Sequence, residues 1–233
     1  MTPHTPPPGG GLQIEGLTYQ VGDRVLLNNV DLTVDPGKSV AVTGPSGSGK
    51  STLLMCVLGL IKPASGTITA GGHRLTGLLP GSLTKARRKH LGMVFQFGEL
   101  LPELTPVENV ALPMLLDGAD HHRAYESATR LLEELEVPHG STPTGMLSGG
   151  ERQRTAVARA LIAQPSVLLA DEPTGALDPK ARENVADQLF RICRERDCAL
   201  LVVTHDPAVA DRADGEFQLQ ESTLIPVERG MHA

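Results

Sequence analysis

The strongest constraint on this chain is the glycine-rich sequence Gly44-Pro45-Ser46-Gly47-Ser48-Gly49-Lys50-Ser51, which is followed by Thr52. Apolar residues 39–43 precede it and apolar residues 50–60 follow it, which predicts a strand, a phosphate-binding loop and a buried helix. Glycines let backbone N–H groups turn toward phosphate oxygens, and the N-terminus of the helix adds its dipole. We expect the residues from Gly44 to Thr52 to bind a nucleotide, with Lys50 on its β- and γ-phosphates and Ser51 on Mg²⁺.

Two neighbouring carboxylates, Asp171 and Glu172, follow a second apolar run at residues 167–170. Side chains alternate along a strand, so we expect these two to point to opposite sides and to have different tasks. Asp171 is predicted to hold Mg²⁺, and Glu172 to orient or deprotonate an attacking water. The alternative is a pair of solvated acids at a strand end, which the phosphate loop in the same chain disfavours.

A second predicted helix start has the sequence Leu147-Ser148-Gly149-Gly150-Glu151. The spacing of Ser148 and Glu151 is that of a capping box. Two glycines in a first helical turn cost about 1 kcal/mol each relative to alanine, which is explained if an anion approaches the backbone closely. The sequence therefore predicts a second phosphate-binding helix N-terminus beside a single phosphate loop. A simple cap after a flexible turn is the alternative.

Two other polar residues follow predicted strands. Gln96 comes at the end of the strand predicted at residues 91–95, and His205 follows the buried strand predicted at residues 199–204. Taken singly, such residues are more often structural than functional.

The order of the predicted elements indicates one domain. Apolar strands alternate with helices, as in parallel βαβ units. Residues 97–137 contain helical spacing without a strand pattern, which predicts an inserted helical subdomain. Residues 1–11 are rich in proline and glycine and are predicted to form a flexible tail. Residues 228–233 are predicted to form a second tail, so the predicted domain extends over residues 12–227.

Composition excludes several classes of function. Apolar residues make up 40% of the chain and the net charge is −6, so no basic field indicates a nucleic-acid partner. Aromatic residues are only 3%, which disfavours sugar-binding and single-strand-binding surfaces. The longest apolar run, Leu53–Ile61, is far shorter than the about 20 residues of a spanning helix, so we expect a cytoplasmic chain. Three cysteines without Cys-x-x-Cys spacing are expected to be buried thiols.

Together these motifs resemble the ATP-binding subunit of ABC transporters over about residues 12–227, and the sequence LSGGERQR at 147–154 is the most specific of them. The resemblance implies an α/β fold: a P-loop NTPase core with a mostly parallel sheet, an N-terminal antiparallel β subdomain, and a helical subdomain inserted at about 97–165. It also implies that the chain binds and hydrolyses ATP, with Mg²⁺ as a cofactor.

The same resemblance assigns roles to individual residues. Tyr19 would stack on adenine, Gln96 would contact Mg²⁺ and water, and His205 would contact the γ-phosphate. Asp178 would lie in a loop at a dimer seam. The signature residues 147–151 would bind the γ-phosphate of ATP held by a second copy of the chain, with Ser148, Gly149 and Gly150 in contact, so that two copies enclose two nucleotides.

A finer resemblance, carried by residues 95–110 and 171–175, is to the lipoprotein-release, macrolide-export and cell-division branch. It implies an integral membrane permease as partner, ATP-driven closure that powers export or mechanotransmission, and a position on the inner face of the cell membrane. Gly98-Glu99 and Met146 depart from the usual pattern and leave the partner's identity open. The leucines at 100, 101 and 104 fit equally a groove for a permease helix or the core of the subdomain.

Two other functions remain open at this level. One is an ATP-gated signalling clamp on a membrane partner, without transport. The other, which the chain fits less well, is a soluble ABC-type ATPase acting on DNA, ribosomes or iron–sulfur assembly. The sequence does not specify the transported substrate.

Overall fold

The computed structural model describes residues 10–227, so residues 1–9 of the tail predicted at 1–11, and the whole tail predicted at 228–233, lie outside it. The predicted N-terminal tail extends too far, because Gly10 and Gly11 belong to the folded domain. Gly11 is buried, and its carbonyl accepts a hydrogen bond of 3.0 Å from the backbone N–H of Gly71. A Cβ atom on either glycine would collide with neighbouring backbone, so the chain enters the fold in close contact with another strand.

The described residues form ten strands and seven helices. The strands are β1 Leu12–Val21, β2 Arg24–Val34, β3 Ser39–Thr43, β4 Ser65–Ala70, β5 His73–Arg74, β6 Leu91–Val94, β7 Val167–Asp171, β8 Ala199–Val203, β9 Gly215–Gln220 and β10 Thr223–Pro226. The helices are α1 Lys50–Val57, α2 Pro80–His90, α3 Pro106–Leu116, α4 His121–Glu134, α5 Gly149–Leu161, α6 Pro179–Glu195 and α7 Pro207–Ala210. A short 3₁₀ helix, Thr144–Met146, precedes α5.

The strands form two sheets. The larger has the order β10-β9-β3-β8-β7-β6, and all of its pairs are parallel except that of β10 with β9. The smaller has the order β2-β1-β4-β5 and is antiparallel. This arrangement confirms the α/β fold with a mostly parallel sheet and an N-terminal antiparallel sheet.

The parallel strands β3, β7 and β8 are buried on both faces, and each face packs into its own core. Along β7, Leu168 and Ala170 join a core formed with α3, α4, α5 and α6, whereas Val167 and Leu169 join a core formed with α1 and the antiparallel sheet. Such strands have no polar face, which explains their continuous apolar sequences. The large sheet is therefore a central layer between helices on one side and the small sheet on the other.

All of the regular secondary structure between β6 and β7 is helical. Helices α3, α4 and α5 pack against one another, and residues 95–166 contain no strand.

All three cysteines are buried free thiols, as predicted, and burial raises the pKa of Cys56 to about 12. Among residues 10–227 no helix combines the length and the apolar character that crossing a bilayer requires.

Two sequence predictions of the secondary structure fail. Helix α1 ends at Val57 instead of residue 60, because Gly59 adopts a left-handed φ of 67° and the chain turns there. The N–H of Leu60 then bonds the carbonyl of Met55 at 3.0 Å, a helix-ending turn that glycine favours. The hairpin of β9 and β10 is not predicted, since its strands lie at the sheet edge and only one of their side chains is fully buried.

Asn109, in α3, is a fully buried amide that organises the loop before the helix. Its side-chain nitrogen donates to the carbonyls of Leu101, Leu104 and Thr105 and to the Thr144 hydroxyl. Its oxygen accepts from the N–H of Leu101 at 2.9 Å. A single side chain thus satisfies several polar groups that are shielded from water.

The substitution Asn109→Ala is expected to lower the free energy of unfolding by about 3 kcal/mol, because buried backbone groups lose their partners. Urea unfolding monitored by circular dichroism measures this change. Asn28, which is exposed, provides the control, and Asn28→Ala should change stability by less than about 0.5 kcal/mol. Equal stability of the two variants would contradict the organising role of Asn109.

Candidate functional site

A cleft of about 670 Å³ opens where β3, β7 and β8 end. The carboxyl edge of a parallel sheet is where α/β proteins bind ligands, because the loops there converge on one place. The cleft is lined by Arg24, Leu26, Ser46, Gly47, Gly49, Lys50, Ser51, Thr52, Gln96, Asp171, Glu172 and His205. It therefore joins most of the predicted phosphate loop to both acids and to both strand-end residues.

The phosphate loop packs too tightly for side chains at two of its glycines. A Cβ atom on Gly44 would lie 2.6 Å from the carbonyl oxygen of Leu219, and one on Gly49 would lie 2.8 Å from that of Leu26. Both glycines also have positive φ values, of 142° and 111°. The loop is consequently held against β2 and β9 by close backbone contact.

Lys50 and the start of α1 provide the positive part of the cleft. The ammonium group of Lys50 donates to the carbonyls of Gly44 at 2.7 Å and Pro45 at 3.0 Å, so it is fixed over the loop. No side chain within residues 10–227 caps α1, and the hydroxyl of Ser48 is buried without a hydrogen-bond partner there. Uncapped N–H groups, an unpaired hydroxyl and an ammonium group together suit phosphate oxygens.

Asp171 and Glu172, predicted to point to opposite sides of the strand, both line the same cleft. The strand ends at Asp171, and Glu172 turns away with a left-handed φ of 46°. Burial raises the pKa of Asp171, a hydrogen bond from Ser51 lowers it, and the charge of Glu172 raises it again. The two acids still have separate partners, with Asp171 facing Ser51 and Glu172 facing His205.

Glu172 is held by the loop that follows β8. One carboxylate oxygen lies 2.7 Å from Nδ1 of His205. The other accepts hydrogen bonds from the Thr204 hydroxyl at 3.2 Å and from the backbone N–H of His205 at 3.3 Å. The carboxylate is half-buried and its orientation is fixed, which are properties suited to a general base.

Gln96 reaches the cleft from the loop after β6. It lies close to the segment that follows Glu172, since a Cβ atom on Gly175 would be 3.2 Å from Nε2 of Gln96. The loop carrying Gln96 is attached to α5, because the side chain of Gln153 donates to the carbonyl of Phe95 at 3.0 Å. A polar amide in the cleft is thus mechanically linked to the helix that begins at Gly149.

The signature residues 147–151 lie outside the cleft. The capping box predicted there is confirmed: the N–H of Glu151 donates to the Ser148 hydroxyl at 3.3 Å, and the Ser148 N–H donates to the Glu151 carboxylate at 2.8 Å. Hydrogen bonds from the Ser148 side chain and backbone lower the pKa of Glu151. Ser148 is exposed, whereas Leu147 and Gly150 are buried, and none of these residues lines the cleft that contains the phosphate loop.

The loop containing Asp178 packs beside the start of α5. Asp178 is not in the cleft and instead caps α6 by accepting hydrogen bonds of 3.1 Å from the N–H groups of Lys180 and Ala181. A Cβ atom on Gly149 would lie 3.2 Å from the Leu177 side chain. The two exposed segments therefore form one continuous surface.

Tyr19 is not placed in the cleft. It lies in β1 opposite Leu27 and packs, half-buried, against the core beneath the small sheet. The neighbouring strand β2 supplies Arg24 and Leu26 to the cleft instead, and Arg24 donates to the carbonyl of Gly47 at 3.1 Å. Sequence reasoning missed both residues because no motif marks them and only the pairing of β1 with β2 brings them to the loop.

Comparison with known proteins identifies the family. A family model described as "ABC transporter" matches residues 27–175. The chain belongs to the ABC transporter ATP-binding family. A second model, described as an AAA domain with a putative AbiEii toxin, matches only residues 141–211.

The relatives of this ABC protein match it over nearly its whole length. The "Lipoprotein-releasing system ATP-binding protein LolD" of Granulibacter bethesdensis is 42% identical, covering 94% of this chain and 98% of the relative. The protein of the same name from Legionella pneumophila strain Lens is 44% identical, covering 87% and 90%. A dimeric ATP-binding cassette in a post-hydrolysis state with ADP and Pi is 34% identical, with a TM-score of 0.82 over 94% of this chain and all of that one. This ABC protein is an ATP-binding ATPase.

The substitution Asp171→Asn is expected to raise the urea midpoint of the ABC protein at pH 7.5 without divalent cations. The raised pKa means that the folded state binds the Asp171 proton more tightly than the unfolded chain, so the ionised carboxylate destabilises the fold at neutral pH. The difference in urea midpoint between the variant and the wild type should shrink as the pH falls from the raised pKa of Asp171 to the pKa of an ordinary aspartate, because the wild-type carboxylate becomes protonated.

Asp117 provides a matched control for this substitution. It forms an exposed ion pair with Arg88 at 3.5 Å, and Asp117→Asn should change stability by less than about 1 kcal/mol. A urea midpoint for Asp171→Asn at or below that of the wild type at pH 7.5 would contradict the electrostatic cost of Asp171.

Proposed function

We propose that this chain is the ATP-hydrolysing subunit of a lipoprotein-releasing ABC system, in which two copies close around ATP and power a membrane permease. The observation that carries the proposal is the 42–44% identity, over most of both chains, to proteins named as lipoprotein-releasing ATP-binding subunits. In this proposal the chain is one domain that begins at Gly10 and extends to residue 227, with a helical subdomain at about 97–165, bound peripherally at the inner face of the cell membrane.

The separation of the two predicted phosphate sites supports the homodimer. The cleft contains most of the phosphate loop, whereas Ser148, at the N-terminus of α5, is exposed and lies outside the cleft. Ser148, Gly149 and Gly150 of one copy would contact the γ-phosphate held in the cleft of the other, and Asp178 would lie at the seam. The solved cassette with a TM-score of 0.82 is itself dimeric.

The cleft residues have distinct roles in the proposed hydrolysis. Glu172 accepts the proton of the attacking water, and His205 holds the carboxylate and contacts the γ-phosphate. Lys50 and the N-terminus of α1 stabilise the negative charge on the transferring phosphoryl group. Gln96 would position the water and could help to hold the metal ion through its amide oxygen.

The donor set of the cleft fits Mg²⁺. The Asp171 carboxylate, the Ser51 hydroxyl and the Gln96 amide all line it, and each can offer the oxygen ligands that this cation prefers. Mg²⁺ would neutralise phosphate charge during the transfer. A bound cation would also offset the burial that raises the pKa of Asp171.

An apolar surface beside the cleft is the proposed permease contact. Phe97 is 69% exposed, Leu101 45% and Met146 79%, and all three belong to the inserted helical segment. Leucines 100 and 104 are half-buried, so Leu101 is the leucine that favours the groove interpretation over core packing. A cytoplasmic helix of a permease fits such a surface.

The substitution Glu172→Gln is expected to lower the ATPase rate at least about 100-fold, because the amide cannot accept the water proton. ATP binding should persist, and light scattering with MgATP should give the mass of a dimer. Exposed Glu183, in α6, provides the control, and Glu183→Gln should keep the wild-type rate and remain mostly monomeric under turnover. Hydrolysis by Glu172→Gln near the wild-type rate would remove Glu172 from the base role.

Membrane dependence is a separate test of the proposal. Proteoliposomes containing the cognate permease and a lipid-modified lipoprotein are expected to raise the ATPase rate of the wild type and to release the lipoprotein with ATP. ATP-dependent dimerisation without stimulation or release would refute the lipoprotein-releasing role and leave the ATPase role intact.

Arg24→Ala is expected to weaken ATP binding about tenfold, because a guanidinium that lines the cleft can stack on the base and also braces the carbonyl of Gly47. Tyr19→Leu keeps apolar packing in the core and should change affinity less than about twofold. Isothermal calorimetry in the Glu172→Gln background measures both. A larger loss of ATP affinity in Tyr19→Leu than in Arg24→Ala would indicate that Tyr19 contacts the base.

A further inference from the structure

Arg182, in α6, joins two loops that border the proposed dimer seam and the cleft. One guanidinium nitrogen donates to the Asp206 carboxylate at 2.9 Å, and the other donates to the carbonyl of Leu177 at 3.4 Å. Leu177 precedes Asp178, and its side chain lies near the signature glycine Gly149, where an added Cβ atom would be 3.2 Å from it. The guanidinium therefore holds the seam loop with one arm and the loop after β8 with the other.

Asp206 continues this connection into the cleft. Its backbone N–H donates to the Thr204 hydroxyl at 3.0 Å, and that hydroxyl donates to the Glu172 carboxylate at 3.2 Å. The backbone N–H of the intervening His205 also donates to Glu172. A continuous path of hydrogen bonds thus runs from Leu177 through Arg182, Asp206 and Thr204 to Glu172, and we call it the seam-to-base path.

The ion pair between Arg182 and Asp206 is the most strongly held contact of this path, because of its burial and its geometry. The side chain of Asp206 is only 15% exposed and that of Arg182 is 37% exposed, so water screens the pair less than it screens an ordinary surface pair. Asp206 uses its second carboxylate oxygen to cap α7 at the N–H of Ala208, which fixes its orientation. A planar guanidinium with both arms bonded resists displacement of either loop relative to the other.

We propose that Arg182 is a positioning residue for ATP hydrolysis: by binding Asp206 and the carbonyl of Leu177 together, it sets Glu172 in register with the dimer seam. The inference rests on the proposed function, because it requires that a second copy closes on the seam loop. Arg182 does not line the cleft and acts only through Asp206 and Thr204. Its loss is therefore expected to change kcat and not nucleotide affinity.

The test is a double-mutant cycle on the full-length protein with MgATP. Arg182→Met keeps the aliphatic bulk, and Asp206→Asn keeps the helix cap while removing the charge. Each is expected to lower kcat at least about tenfold, since small displacements of a catalytic group cost up to about 100-fold, with KM within about twofold of the wild type. The double variant should be no slower than either single variant within about twofold, because both remove the same link.

Two further variants separate positioning from general stability. Arg182→Lys keeps the charge opposite Asp206 but lacks the two-armed planar fork, so its kcat should lie between those of Arg182→Met and the wild type. Arg196 pairs with Glu134 at the far end of α6 with similar exposure, and Arg196→Met should lower the melting temperature about as much as Arg182→Met while leaving kcat within about twofold.

The outcomes distinguish this inference from the proposed function. An inactive wild-type protein would refute the ATPase role itself. If the wild type and Arg196→Met hydrolyse ATP and Arg182→Met does so at the same rate, only the inference is overturned. Losses of kcat that multiply in the double variant, or that accompany an equal rise in KM, would also overturn it.

Discussion

The structure depends on three parallel strands, β3, β7 and β8, that are buried on both faces and end at the same edge of one sheet. Because their side chains alternate between two cores, the strands cannot slip by one residue without exposing a whole apolar face. That register determines the residues at which the three strands end and their loops begin. The phosphate loop, the two acids and His205 follow those three strand ends and are therefore brought together by packing alone.

The sequence predicts well what local patterns specify. The bounds of β3 and the capping box at Ser148 follow from apolar periodicity and helix-cap spacing, and both are found in the structure. The cleft residues Lys50 and Asp171 are found for the same reason, since each directly follows a buried strand or begins a helix. Features set by contacts distant in sequence are not predicted. Tyr19, the predicted base-stacking residue, is half-buried and does not line the cleft, whereas Arg24 of the paired strand β2 does.

The inserted helical segment connects parts of the site that lie far apart in sequence. The side chain of Arg159, in α5, donates to the carbonyls of Gly98 and Glu99 at 2.7 Å, while Gln153 holds that of Phe95. The signature helix and the loop that carries Gln96 are therefore joined by three hydrogen bonds. Phe97, which is exposed, lies in this loop directly after Gln96.

The left-handed backbone of Glu172 has a consequence for how such a protein evolves. A residue with a Cβ atom in this conformation costs about 1 kcal/mol or more, which glycine would avoid. Glycine there would relieve this strain but would also remove the carboxylate and its three hydrogen bonds to Thr204 and His205. Any substitution at this position therefore trades an easier backbone against the contacts that hold the loop after β8.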